Sequence, residues 1–323
     1  MRVLIVGAGA VGQVFGYHLA QGGAEVTFLV KPRYAEDCRR GFTLYALART
    51  PRPQRFTGFG VITAPRDAAA TRPDQVYITV SSTALHTGNW LAELAAAIGD
   101  ATVVFLQPNL GDRARLTTFV EPGRVVDGLI EFLAYHAPLP GETRFAEPGI
   151  AYWFPPAPSL FSGARAPDVV AALRRGKLPS RTLGDVTATA PFQSAALYAY
   201  LAALEGAGWS FRELGRGGRL ARAGRGAAQA MAIAGHQLGH RVPWRIRLAT
   251  RPLVIRLVLR LARRVAPLDL ETYLRVHFTK LAEQTRAGFA SYVAHGHQAG
   301  LATDAVEQLA GFVGGNSSVN MTQ

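Results

Sequence analysis

The sequence is poor in cysteine, in lysine and in long apolar runs. Its 323 residues include one cysteine, Cys38, and only three of its 35 basic residues are lysines. A single cysteine excludes a disulfide framework or a zinc cluster of several thiolates, and it is typical of a reducing cytosol. No apolar run approaches the roughly 18 residues of a membrane-spanning helix, and the first run, Val3–Val6, is too short for a secretory signal. We therefore expect a cytoplasmic protein without a metal site.

The composition is that of a globular chain with an uneven distribution of charge. Hydrophobic residues make up 49% and charged residues 18%, which excludes disorder and leaves room for two domains. Residues 1–165 carry 15 basic and 13 acidic residues, whereas residues 166–323 carry 20 and 9. Between Arg212 and Arg264, 13 arginines accompany one acid, Glu213. The net charge of +13 is thus concentrated in the second half of the chain.

The first 30 residues predict a strand, a helix and a second strand. The run Val3–Val6 is followed by a glycine-rich turn, a helical pattern that ends at Gly22-Gly23, and a second apolar run to Val30. The turn consists of Gly7, Ala8, Gly9, Ala10, Val11 and Gly12. In such a G-x-G-x-x-G motif the first glycine permits a tight turn, the second lets a pyrophosphate approach the backbone, and the third allows close helix–strand packing. This context predicts a dinucleotide site of the Rossmann type.

The end of the second strand indicates which dinucleotide is bound. An NAD site places an acidic residue there to bind the ribose 2′-hydroxyl. This chain has Lys31 and Arg33 in that region and no acid. Two cations suit the 2′-phosphate of NADPH, so NADPH is the expected cofactor. A basic turn exposed to solvent is the alternative interpretation.

The remaining pattern predicts an α/β domain with a parallel sheet, followed by an all-helical domain. Strands are expected at 76–80, 101–106, 125–133 and 150–154, with helical residues 85–98 between the first two. The proline-rich segment Pro155–Pro167 is the expected boundary, giving a dinucleotide-binding domain of residues 1–165 and a helical domain of residues 166–323. Helices in the second domain are predicted at 193–204, 227–238, 252–265, 270–294 and 304–313. We expect the helical domain to contribute to substrate binding and to a homodimer.

In these features the chain resembles the ketopantoate reductase (2-dehydropantoate 2-reductase) family. The resemblance rests on Gly7–Gly12, on Lys31 and Arg33, on Thr79-Val-Ser-Ser-Thr83 and on Leu106-Gln-Pro-Asn-Leu-Gly111. It continues through the glycines of residues 128–149 and the late helix that ends at Leu301. It implies a Rossmann domain followed by a helical domain similar to that of 6-phosphogluconate dehydrogenase. It also implies that Ser81, Ser82, Gln107 and Asn109 contact the cofactor.

The sequence departs from the family pattern at three functional positions. Ser81 stands where the family usually has a lysine, and Pro108 displaces the usual asparagine by one position, to Asn109. The segment Thr189–Ala196 corresponds to that of the family's catalytic lysine and contains no lysine. The family's substrate-binding glutamate falls at Glu283 or Gln284. The resemblance therefore implies a reductase of a small or medium metabolite that does not act on ketopantoate itself.

Other residues are candidates for the missing proton donor. His277, Lys280 and Gln284 are spaced to share one face of a continuous helix, and Glu283 lies beside them. A lysine directed into a cleft can have a lowered pKa and act as a general acid, although an exposed polar face is the simpler interpretation. Glu131 is a second candidate, because it interrupts the apolar run of residues 129–133. It could equally occupy an ordinary alternating position of a strand.

The arginine-rich segment Arg245–Arg264 predicts a basic amphipathic helix. Four arginines share one side of it, next to a row of leucines and a valine. Such a helix binds an acidic protein partner or an anionic surface, forms an oligomer contact, or presents a solvated face. Nucleic acid is not expected as a partner, because no array of stacking aromatic residues accompanies the charge.

Two alternatives to an NADPH-dependent oxidoreductase of C=O or C=N groups remain open. The loss of the family's lysines is also what a repurposed non-redox enzyme, such as a cyclase or dehydratase, or a cofactor-binding regulator would show. A non-enzymatic partner-binding module that acts through the arginine-rich segment is the third hypothesis. We expect a biosynthetic enzyme with a small-molecule substrate.

Overall fold

The computed structural model describes residues 1–106 and 111–314, and these form two compact units, Met1–Thr187 and Ala188–Gln323. The strands are β1 Arg2–Val6, β2 Glu25–Leu29, β3 Phe42–Ala46, β4 Gln54–Phe56, β5 Gly60–Ile62, β6 Gln75–Ile78, β7 Thr102–Phe105, β8 Val125–Leu129, β9 Leu133–Ala137, β10 Gly149–Trp153, β11 Ser159–Ser162 and β12 Ser180–Thr182. The helices of the first unit are α1 Ala10–Gln21, α2 Ala35–Arg39, α3 Ala68–Thr71, α4 Ser82–Leu85, α5 Trp90–Ala97, α6 Asp112–Leu116 and α7 Ala166–Arg175. Those of the second unit are α8 Ala190–Glu205, α9 Phe211–Leu214, α10 Arg219–Leu238, α11 Trp244–Ala249, α12 Pro252–Val265, α13 Leu270–Lys280, α14 Ala282–Gln298 and α15 Asp304–Ala310.

The main sheet of the first unit is mostly parallel, as the sequence predicts. Among the described residues eight strands form it, in the order β12-β11-β8-β7-β6-β1-β2-β5. Neighbouring strands run parallel except β8 and β11, which pair antiparallel. The order reverses at β1, with β2 and β5 on one side and β6, β7 and β8 on the other. In open α/β sheets this reversal creates the crevice in which ligands bind, beyond the carboxyl ends of the strands.

Both faces of the main sheet are buried, because alternate residues of each strand enter two different cores. Val3 and Ile5 of β1 lie in one core with α1 and α7, and Leu4 and Val6 lie in the other with α5. Side chains of a strand alternate between the two faces of a sheet, so continuous apolar runs are expected for strands covered on both sides. The first unit is therefore the α/β domain with a parallel sheet that the sequence predicts.

A second, smaller sheet was not predicted. In the described chain it has four strands, in the order β4-β3-β10-β9. Residues of β3, β9 and β10 share the core that contains α1. The single strand predicted over residues 125–133 is wrong, because β8 and β9 are separate strands. The chain leaves β8 at Leu129 and enters β9, in the other sheet, at Leu133.

The first compact unit extends 22 residues beyond the expected boundary at residue 165, to Thr187. Helix α7 buries Val169 and Leu173 in the core of this unit. Nδ1 of His18 on α1 donates to the carbonyl O of Gly176, which follows α7, at 2.7 Å. Strand β12 then pairs with β11 in the main sheet. These contacts assign residues 166–187 to the first unit.

In the part of the chain that the structure describes, the second unit contains helices and no strand. Helix α8 is buried along most of its length and packs against α10, which also contacts α14 and α15. The helix predicted at 270–294 is interrupted at Leu281, whose φ and ψ of −102° and 11° end α13 before α14 begins. The helix predicted at 252–265 is confirmed as α12, whereas the arginine-rich segment Arg245–Arg264 spans two helices, α11 and α12. None of the described helices is long and apolar enough to cross a membrane.

Candidate dinucleotide site

The glycine-rich loop occupies the position that the motif predicts, between β1 and α1. Gly7 has a φ of +97°, in the left-handed region that favours glycine, and makes the turn out of β1. Its N–H donates to the carbonyl O of Leu29 at the end of β2, at 2.9 Å. The side-chain amide of Gln13 donates to the carbonyl O of Ala8 at 2.8 Å. The loop is thereby held against both the helix and the second strand.

The start of α1 is suited to an anionic group. Gly9 is its N-cap residue and provides no side-chain cap, and the first turn contains no acidic residue. The first N–H groups of a helix have no acceptor within the helix, and the helix dipole places partial positive charge there. A pyrophosphate is the ligand that this arrangement binds in dinucleotide sites. The residues present therefore fit a dinucleotide.

The three motif glycines differ in the space around them. A Cβ atom on Gly9 would meet no atom within 4 Å, so the exposed side of the loop is open for a ligand. A Cβ atom on Gly12 would lie 2.3 Å from the carbonyl O of Gly7 and 2.7 Å from Oγ1 of Thr79. Gly12 is therefore required for the packing of α1 on the sheet, whereas Gly9 leaves room for the phosphate. The close packing at Gly12 is what the motif predicts, and the role of Gly9 toward a pyrophosphate stays a prediction.

Lys31 and Arg33 follow β2 directly and are both exposed. Lys31 precedes a short 3-10 helix, Pro32–Tyr34. The guanidinium carbon of Arg33 lies 4.7 Å from the centre of the Tyr34 ring, a cation–π contact. Because the hydrogen bond from Gly7 to Leu29 joins the glycine loop to the end of β2, the two cations belong to the same edge of the sheet as the loop.

The carboxyl ends of the parallel strands of the main sheet line this edge. Val6, Ile78, Phe105 and Asp127 form one row of paired residues across β1, β6, β7 and β8. Thr79, immediately beyond the row, donates from Oγ1 to the carbonyl O of Val6 at 2.8 Å. Thr79 thus fixes β6 against the glycine loop. Its role was not predicted, although it begins one of the motifs that carry the family resemblance.

The structure places polar groups at this edge that the sequence analysis did not identify. Nε of Arg113 lies 3.0 and 2.9 Å from the two carboxylate oxygens of the buried Asp127. Burial raises the pKa of Asp127 and Arg113 opposes the rise. Nε2 of His86 lies 2.8 Å from Oδ1 of Asp112, whose Oδ2 is buried without a partner among the described residues. No sequence motif marks these pairs, which form only when α4, α6 and β8 meet.

The four residues that the resemblance predicts to contact the cofactor, outside the glycine loop and the two cations, differ in what the structure describes of them. Ser81 is exposed and caps α4, accepting from the N–H of Ala84 at 3.4 Å, whereas Ser82 is buried. Gln107 and Asn109 lie outside the described residues, so their expected contact with a cofactor stays a prediction.

Glu131 lies in the connection between β8 and β9, two residues after the carboxyl end of β8. Its backbone N–H donates to Oγ of Ser159 at 3.2 Å, and its half-buried carboxyl group has no hydrogen-bond partner in the described structure. Burial raises the pKa of this carboxyl group. Glu131 does not occupy an ordinary position in a strand, because it lies outside both β8 and β9.

The candidates in the second unit do not share one continuous helix. His277 and Lys280 lie on α13, Glu283 and Gln284 lie on α14, and the helix break at Leu281 separates the two pairs. Lys280 and Glu283 are exposed, and the side chain of Gln284 is not among those described. His277 stacks on Tyr273 with ring centres 5.4 Å apart. Burial, and then the charge of Lys280, lower the pKa of His277.

The family assignment rests on the first unit. Residues 3–158 match the family model described as ketopantoate reductase PanE/ApbA. This part of the chain is a domain of the ketopantoate reductase family. The resemblance predicted from the motifs is thereby confirmed for this region. No curated protein matches the sequence significantly.

Solved structures of similar fold cover nearly the whole chain. A PanE/ApbA family ketopantoate reductase from Ralstonia eutropha is 20% identical, with a TM-score of 0.71 and 97% of each chain covered. A 2-dehydropantoate 2-reductase from Geobacter metallireducens is 17% identical, with a TM-score of 0.70 and coverage of 97% of this chain and 99% of that one. D-mandelate dehydrogenase, solved with NADH and anilino(oxo)acetate, is 14% identical, with a TM-score of 0.71 and 97% of each chain covered. Family and fold together support a ketopantoate reductase-like oxidoreductase.

Proposed function

We propose that the protein is an NADPH-dependent reductase that acts on a carbonyl or imine of a small or medium metabolite other than ketopantoate. One observation carries the proposal. An open glycine loop at the start of α1 is hydrogen-bonded to the end of β2, where Lys31 and Arg33 replace the acidic residue of an NAD site. The D-mandelate dehydrogenase structure contains NADH, so the choice of NADPH for this chain depends on these two cations rather than on the fold.

In the proposed reaction the glycine loop and the two cations of the first unit bind different parts of the cofactor. The backbone of Gly7–Gly12 binds the pyrophosphate and the start of α1 provides partial positive charge. Lys31 and Arg33 bind the 2′-phosphate by charge-assisted hydrogen bonds. When bound, NADPH supplies the hydride. Reduction would leave the carbonyl oxygen or imine nitrogen of the substrate in need of a proton from the protein or from water.

We propose Glu131 as the donor of that proton. Its position beyond the carboxyl end of β8 is on the edge where the glycine loop lies, and burial raises the pKa of its carboxyl group, which favours the protonated form that a proton donor needs. Lys280, the candidate that helix spacing favours, is exposed at the end of α13. Lys280 is the alternative proton donor. We propose that His277, Glu283 and Gln284 orient the substrate.

We expect little or no ketopantoate-dependent oxidation of NADPH. The segment Thr189–Ala196, which corresponds to the region of the family's catalytic amine, contains no lysine. The measurement is NADPH consumption by the purified protein with ketopantoate and, in parallel, with a panel of other 2-oxo acids, ketones and cyclic imines. Turnover of ketopantoate at about 10 per second, a rate typical of enzymes, would contradict the exclusion of ketopantoate. Tight NADPH binding with no oxidation against any panel member would favour a non-redox role.

Replacement of Glu131 tests its buried carboxyl group without a known substrate. A carboxyl group whose pKa is raised by folding binds protons more tightly in the folded state, so it reduces stability as the pH rises through that pKa. We therefore expect the Glu131→Gln variant to gain stability relative to the wild type as the pH rises above about 4.3, the ordinary pKa of a glutamate, and through the raised pKa of the folded protein. The measurement is the free energy of unfolding in urea at each pH. The exposed Glu93, replaced in Glu93→Gln, is the matched control and should show no such trend.

The same variant tests the proton-donor role once a panel substrate is found. General acids contribute about 10²–10⁴-fold, so Glu131→Gln should lower kcat at least 100-fold and leave NADPH affinity unchanged. Lys280→Met should retain kcat. The reverse result, with loss only in Lys280→Met, would transfer the role to the lysine.

A further inference from the structure

Helices α11 and α12 expose an unusual number of large apolar side chains. Leu253, Leu257 and Leu261 are spaced by four residues on α12 and are 78%, 56% and 50% exposed. Residues of this spacing lie one above another on one side of a helix. Val258 and Val265 extend the exposed side of α12, and Trp244 and Leu248 of α11 are also exposed. No residue of either helix is buried. We call the seven residues named in this paragraph the α11–α12 apolar surface.

Arginines border this surface and have no acidic partners. Arg256, Arg260, Arg263 and Arg264 are all exposed, and the described ion pairs include none of them. Arg256 donates to the carbonyl O of Gly215, the residue that follows α9, at 2.9 Å. The sequence contains no Asp or Glu between Glu213 and Asp269. Glu213 forms its described ion pairs with Arg212, Arg216 and Arg219, and not with the four arginines of α12.

The arginines also converge on a concave site. A cavity of about 750 Å³ is lined by Arg212 and the four arginines of α12. Its floor is apolar and includes Phe211, Leu214 and Leu220, all of which are buried. Converging guanidinium groups bind phosphate oxygens by charge-assisted, often bidentate hydrogen bonds. A cationic cavity thus lies beside the exposed leucines of the same helix.

Three kinds of partner for the α11–α12 apolar surface can be compared by the groups that they would bring to it. A second copy of the chain paired through the same face would bring two sets of unneutralised arginines together, which repel. An acidic protein would match the arginines, but its carboxylates would leave a row of large aliphatic side chains without an apolar counterpart. An anionic lipid surface matches both, because headgroup phosphates meet the arginines, the leucines enter the acyl boundary and a tryptophan lies at headgroup level.

We propose that the α11–α12 apolar surface and its flanking arginines attach the protein to an anionic lipid bilayer. Helix α12 lies in the plane of the interface, with its leucines toward the acyl chains and Trp244 at headgroup level. The arginine-lined cavity receives lipid phosphate groups. This attachment is separate from the dinucleotide site, so it does not depend on the proposed reductase activity.

The test is sedimentation of the full-length protein with vesicles of phosphatidylcholine containing about 30% phosphatidylglycerol, at physiological salt. We expect binding to these vesicles and none to pure phosphatidylcholine. The Arg260→Gln/Arg263→Gln/Arg264→Gln variant should bind these vesicles at least about tenfold more weakly, because each basic residue near an anionic membrane surface contributes to the binding free energy. The Leu257→Asn/Leu261→Asn variant should also bind the vesicles at least about tenfold more weakly, because less apolar area enters the membrane. Both variants change only exposed side chains, so circular dichroism should match that of the wild type.

Matched variants separate this surface from general effects of charge and hydrophobicity. Arg49→Gln/Arg52→Gln/Arg66→Gln removes three exposed arginines of the first unit, and Phe119→Asn/Leu197→Asn removes two exposed apolar residues elsewhere. Both should bind as the wild type does. Absence of vesicle binding, equal loss in the control triple variant, or binding to pure phosphatidylcholine would overturn the proposal. So would a dimer, detected by light scattering, that dissociates in Leu257→Asn/Leu261→Asn.

Discussion

In the Lys31→Ala/Arg33→Ala variant we expect NADPH affinity to fall about 100-fold or more while NADH affinity stays within about twofold of the wild type. Each charge-assisted hydrogen bond to a phosphate contributes more than a neutral one, and the two cations are assigned to the one phosphate that NADH lacks. Both side chains are exposed, so their removal leaves the buried core unchanged. The measurement is fluorescence titration of each reduced cofactor into the variant and the wild type.

The control for this experiment is the Arg49→Ala/Arg52→Ala variant. It removes two exposed arginines between β3 and β4, so the net charge changes by the same amount. If NADPH affinity depends on Lys31 and Arg33 specifically, this variant binds NADPH as the wild type does. Equal losses for NADPH and NADH in Lys31→Ala/Arg33→Ala would show instead that the two cations do not recognise the 2′-phosphate.

Two single substitutions in the glycine loop should have opposite consequences. In Gly9→Ala the added methyl group meets no protein atom within 4 Å. The free energy of unfolding should therefore change by no more than about 0.5 kcal/mol. The methyl group would occupy the space assigned to the pyrophosphate, and we expect affinity for both cofactors to fall about 100-fold. In Gly12→Ala the methyl group collides with the carbonyl O of Gly7, and the expected loss of stability is about 2 kcal/mol or more.

Chemical denaturation and cofactor titration of both variants distinguish these outcomes. The exposed Gly58→Ala is not a suitable control, because its φ is +80° and the substitution would strain the backbone. Gly123→Ala is suitable, since its added methyl group meets no atom within 4 Å and its φ is not in the left-handed region. A Gly9→Ala variant that is folded and binds NADPH as tightly as the wild type would exclude the loop as the pyrophosphate site.

The elements that position the dinucleotide site could be predicted from local sequence. The strand, turn and helix of the first 30 residues depend on a short apolar run and on glycines at fixed spacing, and both signals are local. Long-range features could not be predicted in this way. The small sheet formed by β3, β4, β9 and β10 has short strands, and their partners are set by packing against α1.

The errors in the prediction have specific physical causes. Glu131 was assigned to a strand because residues 129–133 are largely apolar, but these residues connect two sheets. The helix break at Leu281 involves neither glycine nor proline, which are the usual local signals of a helix end. The Arg113–Asp127 pair joins residues 14 positions apart, on α6 and β8. The spatial relationship of such residues is not encoded in their spacing along the chain.

The central claim is that two cations at the end of β2 select NADPH, and competition between the two reduced cofactors for the wild-type protein tests it most directly. Isothermal titration with NADPH and with NADH gives both dissociation constants under one set of conditions. The proposed role of Lys31 and Arg33 predicts that NADPH binds at least about tenfold more tightly, with a preference that declines as salt is raised, because exposed charges are screened. Equal affinities, or tighter binding of NADH, would contradict it.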